Sequence, residues 1–159
     1  MYLKEQTSEE KKKFYLQHVN QFYDHVKNWL QDKSQNNQLV VKKKLVEIYE
    51  KSLGTYNTKM LSIQTPDKDV VIDMKPIGAC AILAEGMIEL ESWLGKEHIV
   101  YMPSGGPMFT GPSGSEQPIY RGINEEGWYW IESSRRTKAY KMDKELLLEL
   151  MTMVSDHAF

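Results

Sequence analysis

Hydrophobic residues begin to alternate with polar ones in the segment Lys59-Met-Leu-Ser-Ile-Gln-Thr-Pro-Asp-Lys-Asp-Val-Val-Ile-Asp-Met-Lys75. Leu61 and Ile63 alternate with polar neighbours before the Pro-Asp-Lys-Asp run at 66–69, and Ile72 and Met74 do so after it. A period of two is typical of a strand with one buried face, and a polar run containing Pro and Asp favours a turn. The segment therefore predicts a β-hairpin.

The segment that follows, 77–94, allows two interpretations. Its Ala, Leu, Met and Glu residues favour a helix, whereas Gly86 in the middle opposes one. In Met87-Ile-Glu-Leu-Glu-Ser-Trp93, Ile88 and Leu90 alternate with Glu89 and Glu91. We favour two strands with a turn at 84–86, and one continuous helix stays the alternative.

Aromatic and β-branched residues predict further strands downstream. His98-Ile-Val-Tyr-Met102 and Gly127-Trp-Tyr-Trp-Ile131 have this composition, and Trp128 and Trp130 should share one face while Tyr129 points to the other. After a turn at 133–136, residues 137–142 should return as the partner strand. Short connections between successive strands favour antiparallel pairing, so residues 59–142 are expected to form one antiparallel sheet of about six or seven strands.

Near the two ends of the chain, at 8–53 and 143–156, apolar residues recur every three or four positions. A capping box at Thr7 and Glu10 opens a helix predicted over 8–31. A second helix is predicted over 40–53, with Leu45, Ile48, Tyr49 and Leu53 as its stripe and Gly54 as its C-terminal cap. A third, with Asp143 as its N-cap, is predicted over 143–156. The fold class is therefore α+β, with a helical part at 8–53, in a single domain spanning 1–159.

The amino-acid composition limits the classes of function that the protein can have. Twenty Lys and Arg balance 22 Asp and Glu, for a formal net charge of −2, which argues against a dedicated nucleic-acid-binding protein. The single cysteine, Cys80, excludes an intrachain disulfide and is typical of a reducing compartment, so we expect a cytoplasmic protein. No apolar run approaches transmembrane length. The motifs of common enzymes are missing, and no cofactor or metal is expected.

The segment 103–118 is rich in Gly, Pro and Ser but contains Met108 and Phe109. A segment of this length and composition is either a functional loop or disordered, and the sequence does not decide whether it is ordered. Two bulky apolar side chains there suggest contact with a partner. The alternative is that they fold back onto the protein's own sheet.

Glu89 and Glu91 belong to a larger acidic set that is expected to project from one sheet face or its turns, with Glu85, Glu97, Glu125 and Glu126. An acidic face with a few apolar anchors suits a basic protein partner. The leading hypothesis is thus a non-enzymatic protein-binding module, such as an immunity protein, an antitoxin or an accessory regulator, that uses the sheet face and the 103–118 loop. The sequence leaves the identity of the partner and the oligomeric state open.

A second hypothesis is a metal-dependent nuclease or other hydrolase. Pro66-Asp67 followed by Asp73-Met-Lys75, with Glu47 on a preceding helix, resembles the Pro-Asp plus Asp-x-Lys pattern of the restriction-endonuclease-like nucleases. The resemblance implies that Asp67 and Asp73 hold a divalent cation while Lys75 assists the attacking water. The plain structural alternative is a turn followed by an exposed Asp and Lys on one strand face.

Basic residues near the aromatic strand are a third candidate site. Arg135, Arg136 and Lys138 follow Trp128-Tyr-Trp130, and such a combination can bind nucleic acid by phosphate contacts and base stacking. The structural alternative is that the arginines occupy a hairpin turn. The histidines show no metal-binding spacing, because His18 and His25 are two turns apart on the first helix.

Overall fold

The protein is represented by a computed structural model that describes residues 6–79, 84–132 and 138–159. These residues form helices and strands in an α+β arrangement, which confirms the predicted fold class. Their bounds are α1 (Ser8–Trp29), α2 (Gln31–Gln35), β1 (Val40–Glu50), β2 (Gly54–Gln64), β3 (Val70–Gly78), β4 (Gly86–Ser92), β5 (Gly95–Met102), β6 (Met108–Thr110), β7 (Glu116–Pro118), β8 (Gly127–Ile131), β9 (Ala139–Lys141) and α3 (Lys144–Ser155).

One antiparallel sheet contains seven of the described strands, in the order β1-β2-β3-β4-β5-β8-β9, and β6 and β7 form a separate hairpin. Consecutive strands are neighbours except between β5 and β8, where the β6–β7 hairpin is inserted. The β1–β2, β2–β3 and β4–β5 connections, which the structure describes in full, are short turns, as the sequence predicts. Among the described residues, no helix is long and apolar enough to cross a membrane.

Helix α1 begins as predicted. The Thr7 side chain accepts from the backbone of Glu10, and the Glu10 side chain accepts from the backbone of Thr7, which completes the capping box. Its buried stripe consists of Tyr15, Val19, Phe22, Tyr23 and Val26. The helix therefore lies on the sheet through an apolar face, while its charged residues face solvent.

The predicted helix over 40–53 is wrong, because these residues form strand β1 and the turn after it. Every residue of β1 has a partner in β2, from Val40 opposite Gln64 to Glu50 opposite Gly54. The run is rich in Val, Ile and Tyr, which favour a strand, and pairing with β2 outweighs the helix-like spacing of its apolar residues. Gly54, with φ of +75°, supports the hairpin turn instead of ending a helix. The second helix is the short α2.

The hairpin predicted over 59–75 is confirmed. Strands β2 and β3 pair with Leu61 opposite Met74 and Ile63 opposite Ile72, and the turn closes by hydrogen bonds between Thr65 and Asp69. The strand predicted over 87–93 is also confirmed as β4, so 78–94 is not one continuous helix. Cys80 and the rest of 80–83 lie outside the described residues.

The main core lies between the sheet and helices α1 and α3. Ile88, Leu90, Ile99 and Trp128 reach it from the strands, and Leu147 and Leu150 reach it from α3, all of them buried. Tyr129 points to the opposite face, as predicted, and belongs to a second, smaller buried cluster completed by Val100, Met102, Ile123 and Ala139. We call the two sides of the sheet the helix face and the second face.

Candidate functional site

The β6–β7 hairpin presents the two apolar side chains that the sequence analysis singles out. Across the hairpin, Met108 lies opposite Pro118 and Phe109 opposite Gln117. Met108 is 47% exposed and Phe109 is 50% exposed, and neither belongs to a buried cluster. In the part of the chain that the structure describes, β6 pairs with no strand except β7. The segment 103–118 is therefore a formed hairpin with an accessible apolar pair.

The base of this hairpin is fixed to the second face. The backbone N–H of Gly106 donates to the carbonyl of Pro103 at 2.9 Å, and Ile119 donates to Pro107 at the same distance. Gly106 has φ of +68°, a left-handed conformation that favours glycine, and a Cβ there would lie 2.7 Å from Cδ1 of Ile123, so the Ile123 side chain would have to shift to admit it. Because Ile123 belongs to the second cluster, the hairpin projects from the side of the sheet that the helices leave open.

The same face brings together four charged residues from the two functional hypotheses. Asp73 lies opposite Glu91, and Lys75 lies opposite Glu89, across the β3–β4 pair. Directly opposed residues share a sheet face, so all four point away from the helices. On the far side of β4, Lys96 opposes Glu91 and His98 opposes Glu89, and we call these six residues the charged rows.

Glu89 is the best-connected member of the charged rows. Its Oε2 lies 3.2 Å from Nε2 of His98 and 4.0 Å from Nζ of Lys96. The Glu89 side chain is only 15% exposed, whereas those of His98 and Lys96 are 45% and 59% exposed. The rows therefore form a mixed-charge surface in which cationic groups neighbour the acidic ones.

The remaining acidic residues divide between the two sides of the sheet. Glu97 accepts from Nε1 of Trp130 at 2.9 Å, and Glu126 accepts from the Tyr101 hydroxyl at 3.2 Å. Glu125 forms an ion pair with Lys141. Because Trp130 and Tyr101 belong to the helix side, only part of the acidic set accompanies Glu89 and Glu91 on the second face.

The proposed nuclease residues do not converge. Asp67 lies in the exposed turn between β2 and β3, while Asp73 and Lys75 lie on β3. Glu47 is on β1 and not on a helix. Asp73 lies opposite Ser62 of β2, which in turn lies opposite Lys42 of β1. Glu47 is five residues, or about 16 Å, farther along β1 than Lys42, so it is distant from Asp73.

Asp73 also lacks the surroundings of a metal ligand. Its Oδ1 is buried and has no hydrogen-bond partner among the described residues, and Glu91 is its cross-strand neighbour. The described ranges contain no group of three or more His, Cys, Asp or Glu side chains placed to hold a metal ion. The geometry of these residues gives the nuclease hypothesis no support.

The basic candidates can be placed only in part, because Arg135 and Arg136 lie outside the described residues. Lys138 is exposed, and its Nζ lies 4.8 Å from the ring centre of Tyr140. Trp128 is buried against the helix side, so its ring is not presented on an open surface for base stacking.

An aromatic cleft that the sequence analysis missed lies between α1 and the ends of β5 and β8. Its volume is about 300 Å³, and its walls include His18, Phe22, Trp29, Tyr101 and Trp128. The His18 and Tyr101 rings are 4.1 Å apart at 32°, and Tyr101 and Trp128 meet edge to face at 5.4 Å. The rings thus support one another in offset and T-shaped contacts, which favour a fixed arrangement.

Burial changes the acid–base properties of the cleft. It lowers the pKa of His18, although the neighbouring Glu126 carboxylate acts in the opposite direction. Burial, reinforced by the charge of Glu126, raises the pKa of Tyr101 to about 12 and raises the pKa of Glu85. The imidazole is therefore favoured in its neutral form, and because Lys141 lines the cleft together with Glu126, its walls carry both signs of charge.

The cleft could not be recognised from sequence, because its residues come from three distant segments. Position 18 is joined to the sheet by the contact of its ring with Tyr101 and by a hydrogen bond from Nε1 of Trp128 to the His18 carbonyl at 3.2 Å. The one available signal was the aromatic content of the α1 stripe, which is equally typical of a core. No known family model matches the chain, and comparison with curated proteins and with solved structures finds no match either.

Proposed function

We propose that the protein is a non-enzymatic protein-binding module, with the β6–β7 hairpin as its anchor and the charged rows as a further contact surface on the same side of the sheet. The observation that carries this proposal is the exposure of Met108 and Phe109 on a hairpin whose base is fixed by Gly106 and Ile123. A fixed base reduces the entropy lost on binding, and large apolar side chains provide the anchor of an interface.

The charged rows support the same proposal. They lie on the side of the sheet from which the hairpin projects, and they hold both signs of charge around Glu89. Such surfaces contribute orientation and association rate more than affinity. The role of an immunity protein, antitoxin or accessory regulator in the cytoplasm is part of the proposal, and the reducing compartment inferred from the single cysteine supports that location.

The test is the double substitution Met108→Ala with Phe109→Ala. A truncated interface anchor costs about 2 kcal/mol or more of binding, whereas exposed substitutions change folding stability by about 0.5 kcal/mol or less. Capture of partners from an extract of the source cells, measured by quantitative mass spectrometry, should fall at least about tenfold for the authentic partner while the melting temperature stays unchanged.

Leu94→Ala with Met153→Ala is the matched control, because these side chains are 50% and 51% exposed and lie outside the hairpin. The control should capture the partner as the wild type does. Equal capture by the wild type and the hairpin variant would contradict the proposal, and so would a large loss of thermal stability in the hairpin variant.

A further inference from the structure

Strand β1 forms one edge of the seven-stranded sheet and is 11 residues long. Among the described strands, only β2 pairs with it, and no described backbone group bonds to its outer side. Leu45 is 78% exposed and Tyr49 is 72% exposed, the former being the most exposed of the large apolar residues described. A long edge with exposed apolar side chains is a template for pairing with another strand.

We propose that β1 pairs antiparallel with β1 of a second copy of this chain, about a two-fold axis that passes through Leu45. Such an axis is perpendicular to the sheet and returns each side chain to its own face. Directly opposed residues must therefore share a face. The axis then passes beside one residue of β1, and this residue lies opposite the same residue of the second copy. Each possible register is defined by the residue at the axis, and the charges in β1 determine which register is favoured.

Four neighbouring registers are unfavourable because of what they oppose. An axis at Lys43 or Lys44 places a lysine against itself, and an axis at Glu47 places two carboxylates together. An axis at Val46 places the exposed Leu45 against Glu47, and the Glu50 carboxylate that it brings opposite Lys42 already accepts from the Tyr56 hydroxyl and from the backbone N–H of Ala79. Like charges directly opposite destabilise a pair of strands.

The register through Leu45 is self-complementary. It opposes Lys43 to Glu47 twice, once on each side of the axis, and places Leu45 against its own counterpart. The exposed Tyr49 then lies opposite Val41, an aromatic and β-branched pair of the kind that stabilises strands. Lys42 and Lys44 face Ile48 and Val46, so no lysine meets another.

The lysines at 42–44 have a second effect in this arrangement. Lysine on an edge strand discourages pairing with most strands, because it opposes foreign apolar or basic side chains. Pairing in this register requires a partner strand in which a glutamate follows a lysine by four residues, as Glu47 follows Lys43. A second copy of β1, running antiparallel, meets this requirement, and few other strands do. The edge is therefore selective, and the symmetric dimer is independent of the hairpin surface proposed above.

The test measures the mass of the full chain by analytical ultracentrifugation over a range of concentrations. The wild type should form a dimer, and the dissociation constant of Lys43→Glu should rise about tenfold or more, because each dimer then opposes two pairs of carboxylates. Glu47→Lys should have the same effect through opposed lysines. The variant carrying both changes restores opposite charges and should regain the wild-type dissociation constant.

Failure of the double variant to recover the dimer, or a wild type that stays monomeric at hundreds of micromolar, would overturn the proposal. Circular dichroism melting of each variant establishes that it is folded. Neither result bears on the hairpin anchor, because the substituted residues belong to β1 alone.

A cross-link fixes the register separately. In a chain whose only cysteine, Cys80, is replaced by serine, Leu45→Cys should give a disulfide-linked dimer under mild oxidation, since opposed Cβ atoms lie about 4.5–5.5 Å apart. Glu47→Cys is the matched control, because the two copies of position 47 are about 13 Å apart in this register. Cross-linking at 47 and not at 45 would disprove it.

Discussion

The helix face and the second face of the sheet are covered in different ways. On the helix face, α1 and α3 bury a continuous cluster that receives side chains from most of the strands. On the second face, Ile123 and its neighbours bury a small cluster near β5 and β8, while the charged rows cover β3 and β4. The helix face therefore holds most of the apolar core, whereas the second face combines a smaller buried cluster with the charged rows.

The largest effect is expected on the helix face. Leu90→Ala removes a fully buried side chain from the centre of β4 and leaves a cavity under α3, which should cost about 2–5 kcal/mol of unfolding free energy. Urea unfolding followed by circular dichroism measures the loss. A cost below about 1 kcal/mol would show that the helix face is loosely packed and would remove the contrast with the second face.

A smaller effect is expected on the second face. Ile123→Ala should cost about 1–2 kcal/mol, because its cluster is small and the segment that carries it can relax into the space. Hydrogen exchange should accelerate in 104–126 while α1 keeps its protection. Equal acceleration in both regions would show that the two faces unfold as one unit.

The smallest effect is expected in the charged rows. Asp73→Asn keeps the shape of the side chain, removes a charge opposite Glu91 and replaces an oxygen that has no hydrogen-bond partner among the described residues. We expect a change between zero and a gain of about 0.5 kcal/mol in the same urea experiment. A loss above about 1 kcal/mol would mean that the ionised carboxylate stabilises the sheet, in which case the charged rows contribute to the fold itself.

The sequence predicted the elements whose period was unambiguous. Alternation is clear at Leu61 and Ile63 and again at Ile88 and Leu90, because one face of each strand is buried against helices. For 40–53 the same reasoning gave a helix, since apolar residues at 45, 48, 49 and 53 fit a helical stripe. An edge strand with exposed Leu45 and Tyr49 does not alternate cleanly, so its pairing with β2 could not be read locally.

The candidate site was predictable to a similar, limited extent. Met108 and Phe109 stood out because their local composition was polar, and the structure leaves both exposed. The aromatic cleft depends on α1 meeting β5 and β8, a tertiary arrangement that no short pattern encodes. Glu89 and Glu91 were expected on one face, but the opposing Lys75 and Lys96 became apparent only with the strand register.

The position of α1 has a consequence for synthesis of the protein. The Tyr15 hydroxyl donates to the carbonyl of Met87 at 2.5 Å, and the His18 carbonyl accepts from Trp128, which lies 110 residues later in the chain. At translation rates of about 5–20 residues per second, roughly 5 to 20 s separate the appearance of α1 from that of its last partner. Until β8 emerges, the apolar stripe of α1 has at most an incomplete sheet to cover, so we expect the nascent helix to be a substrate for chaperones and folding to be completed only after that point.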